Sequence, residues 1–206
     1  MPPTADAGVR QATEDDATAV GLVQALVWQE AYDGVVPPEV HAAFEPRSFE
    51  EVWRDALRRP PEGVHRLLVA HAAGTVVGFV AIGPAQDPDV GQTTGEVTAL
   101  GVHPQHRRQG HGSRLVNAAV DLLREAGAEH VTAWALARHE GVRAFLAGAG
   151  LQPDGAYRDR VVAPDGGTAR EVRLVAALVD ETADESSGPG DADAAGDGPG
   201  ADGPAR

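Results

Sequence analysis

The sequence predicts a mixed α/β fold, a central sheet flanked by helices, in the element order β-α-α-β-β-β-α-β-α-β-β. Three observations carry that reading. Residues 66–70, 76–82 and 96–102 are consecutive strand-like apolar runs with no helical period between them, which excludes the strict alternation of a doubly wound dinucleotide fold. Four other segments repeat apolar residues at helical spacing. The third strand runs into a glycine turn, Arg107-Arg108-Gln109-Gly110-His111-Gly112, which opens a helix at about Ser113.

Taken in order, residues 9–12 form a short strand. Thr13 is a helix N-cap, with Asp15 and Asp16 in the first turn, where the helix dipole favours acids. Val20, Val23, Leu26 and Val27 recur at helical spacing, and Ala31 continues the face. Asp33-Gly34 stops that helix and Pro37-Pro38 follow. Ser48-Phe49-Glu50-Glu51 reads as a capping box onto a second helix, with Val52, Trp53, Ala56 and Leu57 as its apolar face and Pro60-Pro61 beyond its end. The 66–70 and 76–82 runs turn at Gly74 and are continuous enough for central strands. Residues 86–95 are a polar loop. Along the helix from Ser113, the expected inner face is Leu115, Ala119, Leu122 and Ala126, and Gly127 stands where a C′ glycine belongs. Residues 130–136 are a strand. Val142, Phe145, Leu146 and Ala149 mark the last helix, which Gly150 stops. Strands at 157–162 and 170–175 close the fold around the turn Pro164-Asp165-Gly166-Gly167.

Composition bounds the function. Residues 180–206 hold eight acids, one Arg and almost no apolar side chains, so half of the net charge of −14 lies there. Such a segment cannot offset its ordering entropy, and it is expected to be disordered. The domain is therefore residues 8–179, after a flexible N-terminus of residues 1–7. The domain is mildly acidic and its arginines form no stripe beyond Arg107 and Arg108, which argues against a nucleic-acid partner. No apolar run approaches the roughly 20 residues that span a membrane. The N-terminus lacks a basic segment followed by an apolar one, so a cytoplasmic protein is expected. The absence of Cys excludes thiolate chemistry, and the absence of Lys excludes Schiff bases and a Walker-type phosphate loop. No His, Asp or Glu cluster has metal-ligand spacing, so no metal is expected.

The glycine turn is an anion site by its physics. Several N–H groups converge at a helix N-terminus, where the dipole favours negative charge, and two arginines add to it. Gly110 and Gly112 let backbone approach a ligand with no Cβ in the way.

With its preceding strand, Leu100-x-Val102-x-Pro104, this turn resembles the GNAT superfamily of acyl-CoA-dependent N-acetyltransferases. That family's signature, Gln/Arg-x-x-Gly-x-Gly/Ala, is matched by Arg107, Gly110 and Gly112. The segment from Phe145 to Leu151 resembles the family's Phe-Tyr-x-x-x-Gly-Phe, and Trp28-x-x-x-Tyr32-x-Gly34 is similar to an opening seen in many bacterial members. The resemblance covers about residues 8–178. It implies acetyl-CoA as cosubstrate and direct transfer, in a ternary complex, of an acetyl group to a primary amine of a small molecule or peptide. The cofactor-binding residues it implies are Leu100, Val102, Arg107, Arg108, Gln109, Gly110, His111, Gly112, Ser113 and His139. The pyrophosphate would lie on the amides from Arg108 to Ser113, and the strand before the turn would splay from its neighbour at about Trp134. The Val102 N–H is then the candidate oxyanion donor.

An alkyl amine with a pKa near ~10 arrives protonated and must lose a proton before it attacks. Glu96, which resembles a Glu that often serves as base in this family, is the candidate. Ideal alternation would put it on one face with Thr98, Leu100 and Val102. The chain departs from the family at Leu146, where a Tyr commonly protonates the departing thiolate, and at His139, where an Asn is common. Water, Tyr157 or Tyr32 are substitutes for that Tyr. His139 is either a polar contact to the cofactor or a plain loop residue. His103 reads as a strand-end residue, the His111 ring as solvent-facing, and Trp28, Tyr32 and Trp53 as packing. Two rival readings stand: a non-catalytic acyl-CoA sensor of the same fold, motivated by Leu146, and an α/β phosphosugar or nucleotide protein. The amine acceptor has no readable code, and a homodimer stays open.

Overall fold

Seven strands hydrogen-bond into one sheet in the order β1-β2-β3-β4-β5-β7-β6. In the computed structural model, which describes residues 7–179, these are β1 (Ala7–Gln11), β2 (Arg66–Ala72), β3 (Thr75–Pro84), β4 (Thr94–Val102), β5 (His130–Leu136), β6 (Gln152–Val161) and β7 (Thr168–Ala177). Every neighbouring pair is antiparallel except β4 and β5. The helices are α1 (Ala17–Tyr32), α2 (Pro38–Ala42), α3 (Pro46–Arg58), α4 (His111–Glu125) and α5 (Glu140–Gly148). This is the expected mixed sheet flanked by helices, with α2 as an added turn of helix. Ala7, assigned from sequence to the N-terminal segment, belongs to β1. The tail expected at 180–206 and residues 1–6 lie outside the described residues.

The strands β2 and β3 are apolar along their middles, from Leu67 to Ala70 and from Val76 to Ile82, because both of their faces are covered there. Leu68, Ala70, Val80 and Ile82 join a core with Leu115, Val116, Ala119 and Leu123 of α4. Leu67, Val69, Phe79 and Ala81 join a second core with Val20 and Val23 of α1, against which Trp28, Trp53 and Leu57 pack. Trp53 donates its indole N–H to Gln24 of α1, and its ring meets Phe79 at 5.9 Å.

Two helix details correct the sequence reading. No capping box forms at Ser48: α3 starts three residues earlier in sense of its cap, with Glu45 as N-cap and Pro46 at the first helical position, where proline's missing N–H costs nothing. Its inner face follows Phe49, Trp53 and Leu57, because aromatic contacts to Trp28 and Phe79 decide its rotation; Val52 is 63% exposed. On α4 the inner face is Leu115, Val116, Ala119 and Leu123, and Ala126 is an exposed C-cap. Gly127 (φ +84°) does close α4, with its N–H on the Arg124 carbonyl and the Ala128 N–H on Leu123.

The α1 entry is anchored by charge. Asp16 is buried, and its carboxylate takes both Arg10 guanidinium nitrogens at 2.7 and 2.8 Å and the Thr13 N–H at 2.8 Å. The Arg10 bond holds the Asp16 pKa down at about 2. A depressed folded-state pKa contributes stability above the unfolded value of about 3.8 and loses it as pH falls through about 2. With Arg10 45% exposed, solvent screening leaves about 1–2 kcal/mol. Asp16→Asn should therefore lower stability by about that amount at pH 7, with the gap to the parent closing between pH 4 and pH 2 in urea unfolding; a gap that does not depend on pH would refute the assignment.

Where α1 and α3 cross, Gly21 leaves no room for a side chain. A Cβ there would stand 2.6 Å from the Pro46 carbonyl oxygen and 2.7 Å from the Glu50 nitrogen. Alanine normally gains about 1 kcal/mol over glycine inside a helix, but here overpacking against backbone costs about 1–3 kcal/mol. Gly21→Ala should lower the urea midpoint, and a raised midpoint would show that the helices separate without cost.

Candidate active site

β4 and β5 pair from Thr94↔His130 to Val97↔Ala133, and the pairing ends there. Both strands continue, β4 to Val102 and β5 to Leu136, so a wedge opens between them, starting at Thr98 and Trp134. The break coincides with a bulge. Against β3, Ala99 faces Ala81 and Val97 faces Ile82, which leaves Thr98 as an extra residue. An extra residue bends a strand and increases its twist. Ladder parity then fixes which groups line the wedge. The N–H of His103 donates to Val77 of β3 at 2.8 Å, so Gly101 and Ala99 also turn toward β3, while Leu100 and Val102 direct their N–H and C=O groups into the wedge.

The same bulge corrects the expected face of Glu96. Ideal alternation would set it with Leu100 and Val102, but Val97, Leu100 and Val102 pack on the α4 side, and Ala99 packs under α1 and α3. The inserted Thr98 shifts the parity, and Glu96 opens onto the α1 face.

Beyond β4, a 3-10 turn at Pro104–His106 leads to Arg108 (φ +62°) and Gly110 (φ +82°), the N-cap of α4. The first helical bond of α4 runs from the Arg114 N–H to the Gly110 carbonyl at 3.1 Å. Among the described residues, the amides of Arg108, Gln109, Gly110, His111, Gly112 and Ser113 have no acceptor within the chain. Gly112 has a packing reason as well: a Cβ would stand 3.1 Å from the Phe145 ring of α5. The His111 ring is not solvent-facing. The residue is 4% exposed and its ring lies against His106, which meets His103; burial pushes the His111 pKa down. Its place at the first position of α4, under the turn formed by its neighbours, decides this. At the surface, Arg107 directs its charge to the chain's own groups, to Glu30 at 2.7 Å and the Val102 carbonyl at 3.3 Å.

The last turn of α1 spans both lips of the wedge. Glu30 holds Arg107 on the β4 side. On the β5 side, Arg138 donates to the Gly34 carbonyl, just past the end of α1, at 3.4 Å. Burial lowers the His139 pKa. Leu146 is in the core, 3% exposed. Tyr157 is 62% exposed and stacks under Arg170. Tyr32 lies inside, near Glu171, Arg160 and Arg158; burial and then Glu171 push its pKa up.

Sequence reasoning missed the polar cluster around Glu96. Trp134, the first β5 residue in the wedge, donates its indole N–H to Asp87 at 2.9 Å and carries the Arg158 guanidinium 4.2 Å above its ring. Arg158 binds Glu171 at 2.7 Å. Arg173 binds Asp89 through two nitrogens and Asp154 through Nε. Burial, reinforced by Asp87, pushes the Glu96 pKa up. The one signal in the sequence was Glu171 and Arg173, two charges inside a strand that ends in an apolar run.

Residues 13–150 match the model of the Acetyltransferase (GNAT) family. The chain is similar to the uncharacterized N-acetyltransferase YuaI of Bacillus subtilis, 24% identical over 65% of this chain and 74% of that protein. It is 38% identical to the mycothiol acetyltransferase of Streptomyces bingchenggensis over 47% of this chain. The match spans only 29% of that protein's length, and 30% and 41% of two further mycothiol acetyltransferases. Among solved structures, it superposes on the PaiA N-acetyltransferase of Thermoplasma acidophilum in complex with coenzyme A with a TM-score of 0.65, at 15% identity, over 84% of this chain and 99% of that one. YncA of Salmonella typhimurium with acetyl-CoA gives 0.62 at 16% identity, over 87% and 98%. At such identities the structural likeness is one of fold.

Proposed function

The chain belongs to the acetyltransferase (GNAT) family, and on that premise we propose that it transfers an acetyl group from acetyl-CoA to a primary amine by direct attack in a ternary complex. The observation that carries the reading is the wedge beginning at Val97↔Ala133, beside a turn whose six successive amides, from Arg108 to Ser113, have no acceptor within the chain. Six converging N–H groups at a helix N-terminus suit a pyrophosphate. The open backbone groups of Leu100 and the Val102 N–H suit a pantetheine arm lying as an extra strand. Acetyl-CoA supplies the activated acyl group, and the chain's own residues do the rest.

The Val102 N–H stands where charge develops on the thioester oxygen, a contribution of about 3 kcal/mol to the barrier. Glu96 takes the ammonium proton, directly or through water. Its raised pKa makes it a better base once ionised. Its neighbours Asp87 and Glu171 draw a cation to the α1 face. Tyr32 returns a proton to the thiolate: of the chain's two tyrosines it is the one beside Glu171, and burial keeps its hydroxyl protonated. The acceptor, a small molecule or a peptide, enters between the α1–α3 layer, the loop at 85–93 and the β6–β7 hairpin.

A non-catalytic acyl-CoA-binding reading is favoured by Leu146 alone. Acetyl-CoA incubated with a broad amine panel separates the two by thiol release; binding without release on every amine would favour the sensor. Gly110→Trp should abolish coenzyme A binding in calorimetry while circular dichroism stays that of the parent, and retained affinity would remove the turn as the pyrophosphate site. Glu96→Gln should lower kcat/KM for the amine by about 10²–10⁴-fold with coenzyme A affinity unchanged. Because the folded state raises the Glu96 pKa, the base form is lost as pH falls through a value above the usual carboxylate range. The parent's acid limb should therefore sit above about pH 4.3 and vanish in the variant; a parent and variant with the same profile would take Glu96 out of the reaction.

A further inference from the structure

We propose that Arg173 is a positioning residue for Glu96, fastening the β3–β4 loop that carries Asp87 and leaves the sheet beside the Gly83↔Glu96 pair. The inference rests on the reading of Glu96 as the base.

Arg173 lies in β7 opposite Trp134, level with the start of the wedge, and its side chain is 8% exposed. Its partners come from two other elements. Asp89, in the loop between β3 and β4, takes Nη1 and Nη2 at 2.8 and 2.7 Å. Asp87, in the same loop, lies 3.7 Å from Nη1. Asp154 takes Nε at 2.7 Å and belongs to the stretch where β6 loses register with β7, between Pro153 and Tyr157. A buried arginine is a poor choice for stability alone, since apolar side chains of similar volume usually serve a core as well. A planar fork that fixes two carboxylates in direction is what it adds.

The loop needs that anchor. Thr93 at its far end takes the Glu129 and His130 N–H groups, but from Gln86 to Gln92 the backbone bonds, Val90 to Asp87 and Thr94 to Gly91, are internal. Among the described residues, its side-chain bonds to the rest of the chain from Asp87 to Asp89 go to Trp134, Arg158 and Arg173. The charged groups near Glu96 are Asp87 from this loop, Arg158 from β6 and Glu171 from β7. Asp87 moves if the loop moves, and water then reaches a carboxyl now shielded by it.

The test reads Glu96 directly and does not depend on turnover. Carbon-13 NMR of the side-chain carboxyl of Glu96, assigned by its loss in Glu96→Gln, is followed against pH in the parent and in Arg173→Gln. The midpoint should fall toward that of an ordinary carboxylate in the variant and return part of the way in Arg173→Lys, which keeps the charge but not the fork. Coenzyme A affinity by calorimetry should stay within about twofold, since the turn before α4 is on other elements. With an amine that supports thiol release, kcat/KM should fall and its acid limb should shift with the NMR midpoint. If Arg173→Gln does not fold, Asp89→Asn, whose side chain is 59% exposed, opens the same clamp from the solvent side and should move the midpoint the same way. An unmoved Glu96 midpoint in a folded variant overturns the proposal. A shifted midpoint in a protein that releases thiol with no amine upholds the coupling while sinking the acetyl-transfer reading.

Discussion

β4 and β5 lie side by side for four residue pairs and then part, and the cleft depends on that parting. Backbone N–H and C=O groups in a protein interior need partners. Beyond Val97 the ladder stops supplying them, so Leu100 and Val102 carry unspent hydrogen-bonding capacity along a strand that is otherwise in the sheet. Arg107 satisfies the Val102 carbonyl. The rest is available to an extended chain of matching polarity. The Thr98 bulge both accompanies the break and turns Glu96 away from the α4 face.

The sheet separates two electrostatic environments that meet at the wedge. On the α4 side, amide dipoles at residues 108–113 offer positive potential at a helix N-terminus. On the α1 side, Asp87 and Glu171 pair with arginines, while Glu96 makes no ion pair among the described residues. The two ends of the opening therefore differ in polarity. The last turn of α1 touches both: Glu30 binds Arg107 beside the glycine turn, and Tyr32, two residues later, lies near Glu171.

Local signals carried much of this into the sequence. The glycine turn was legible because a positive φ at Gly110 and a helix start are properties of a few adjacent residues. β2 and β3 were legible because burial on both faces leaves no polar alternation. The start of α3 was misread because a Ser-x-x-Glu pattern and a Pro at the first helical position compete within three residues, and only the aromatic packing chooses. The His111 ring and the Glu96 face were misread for a shared reason: each depends on one residue of backbone geometry, a tuck or a bulge, that leaves no mark on side-chain periodicity.

By itself, then, the sequence determined the order of the elements, the glycine turn and the strand that feeds it, since those follow from short-range periodicity and backbone stereochemistry. Only the tertiary structure decided where β4 leaves β5, which side of the sheet Glu96 serves, and that Asp87, Trp134, Arg158, Glu171 and Arg173 form one cluster. Those residues are spread over 87 positions of chain from Asp87 to Arg173, and what joins them is the pairing of β5, β6 and β7. Contacts of that range are fixed by sheet register and packing, which no local pattern encodes.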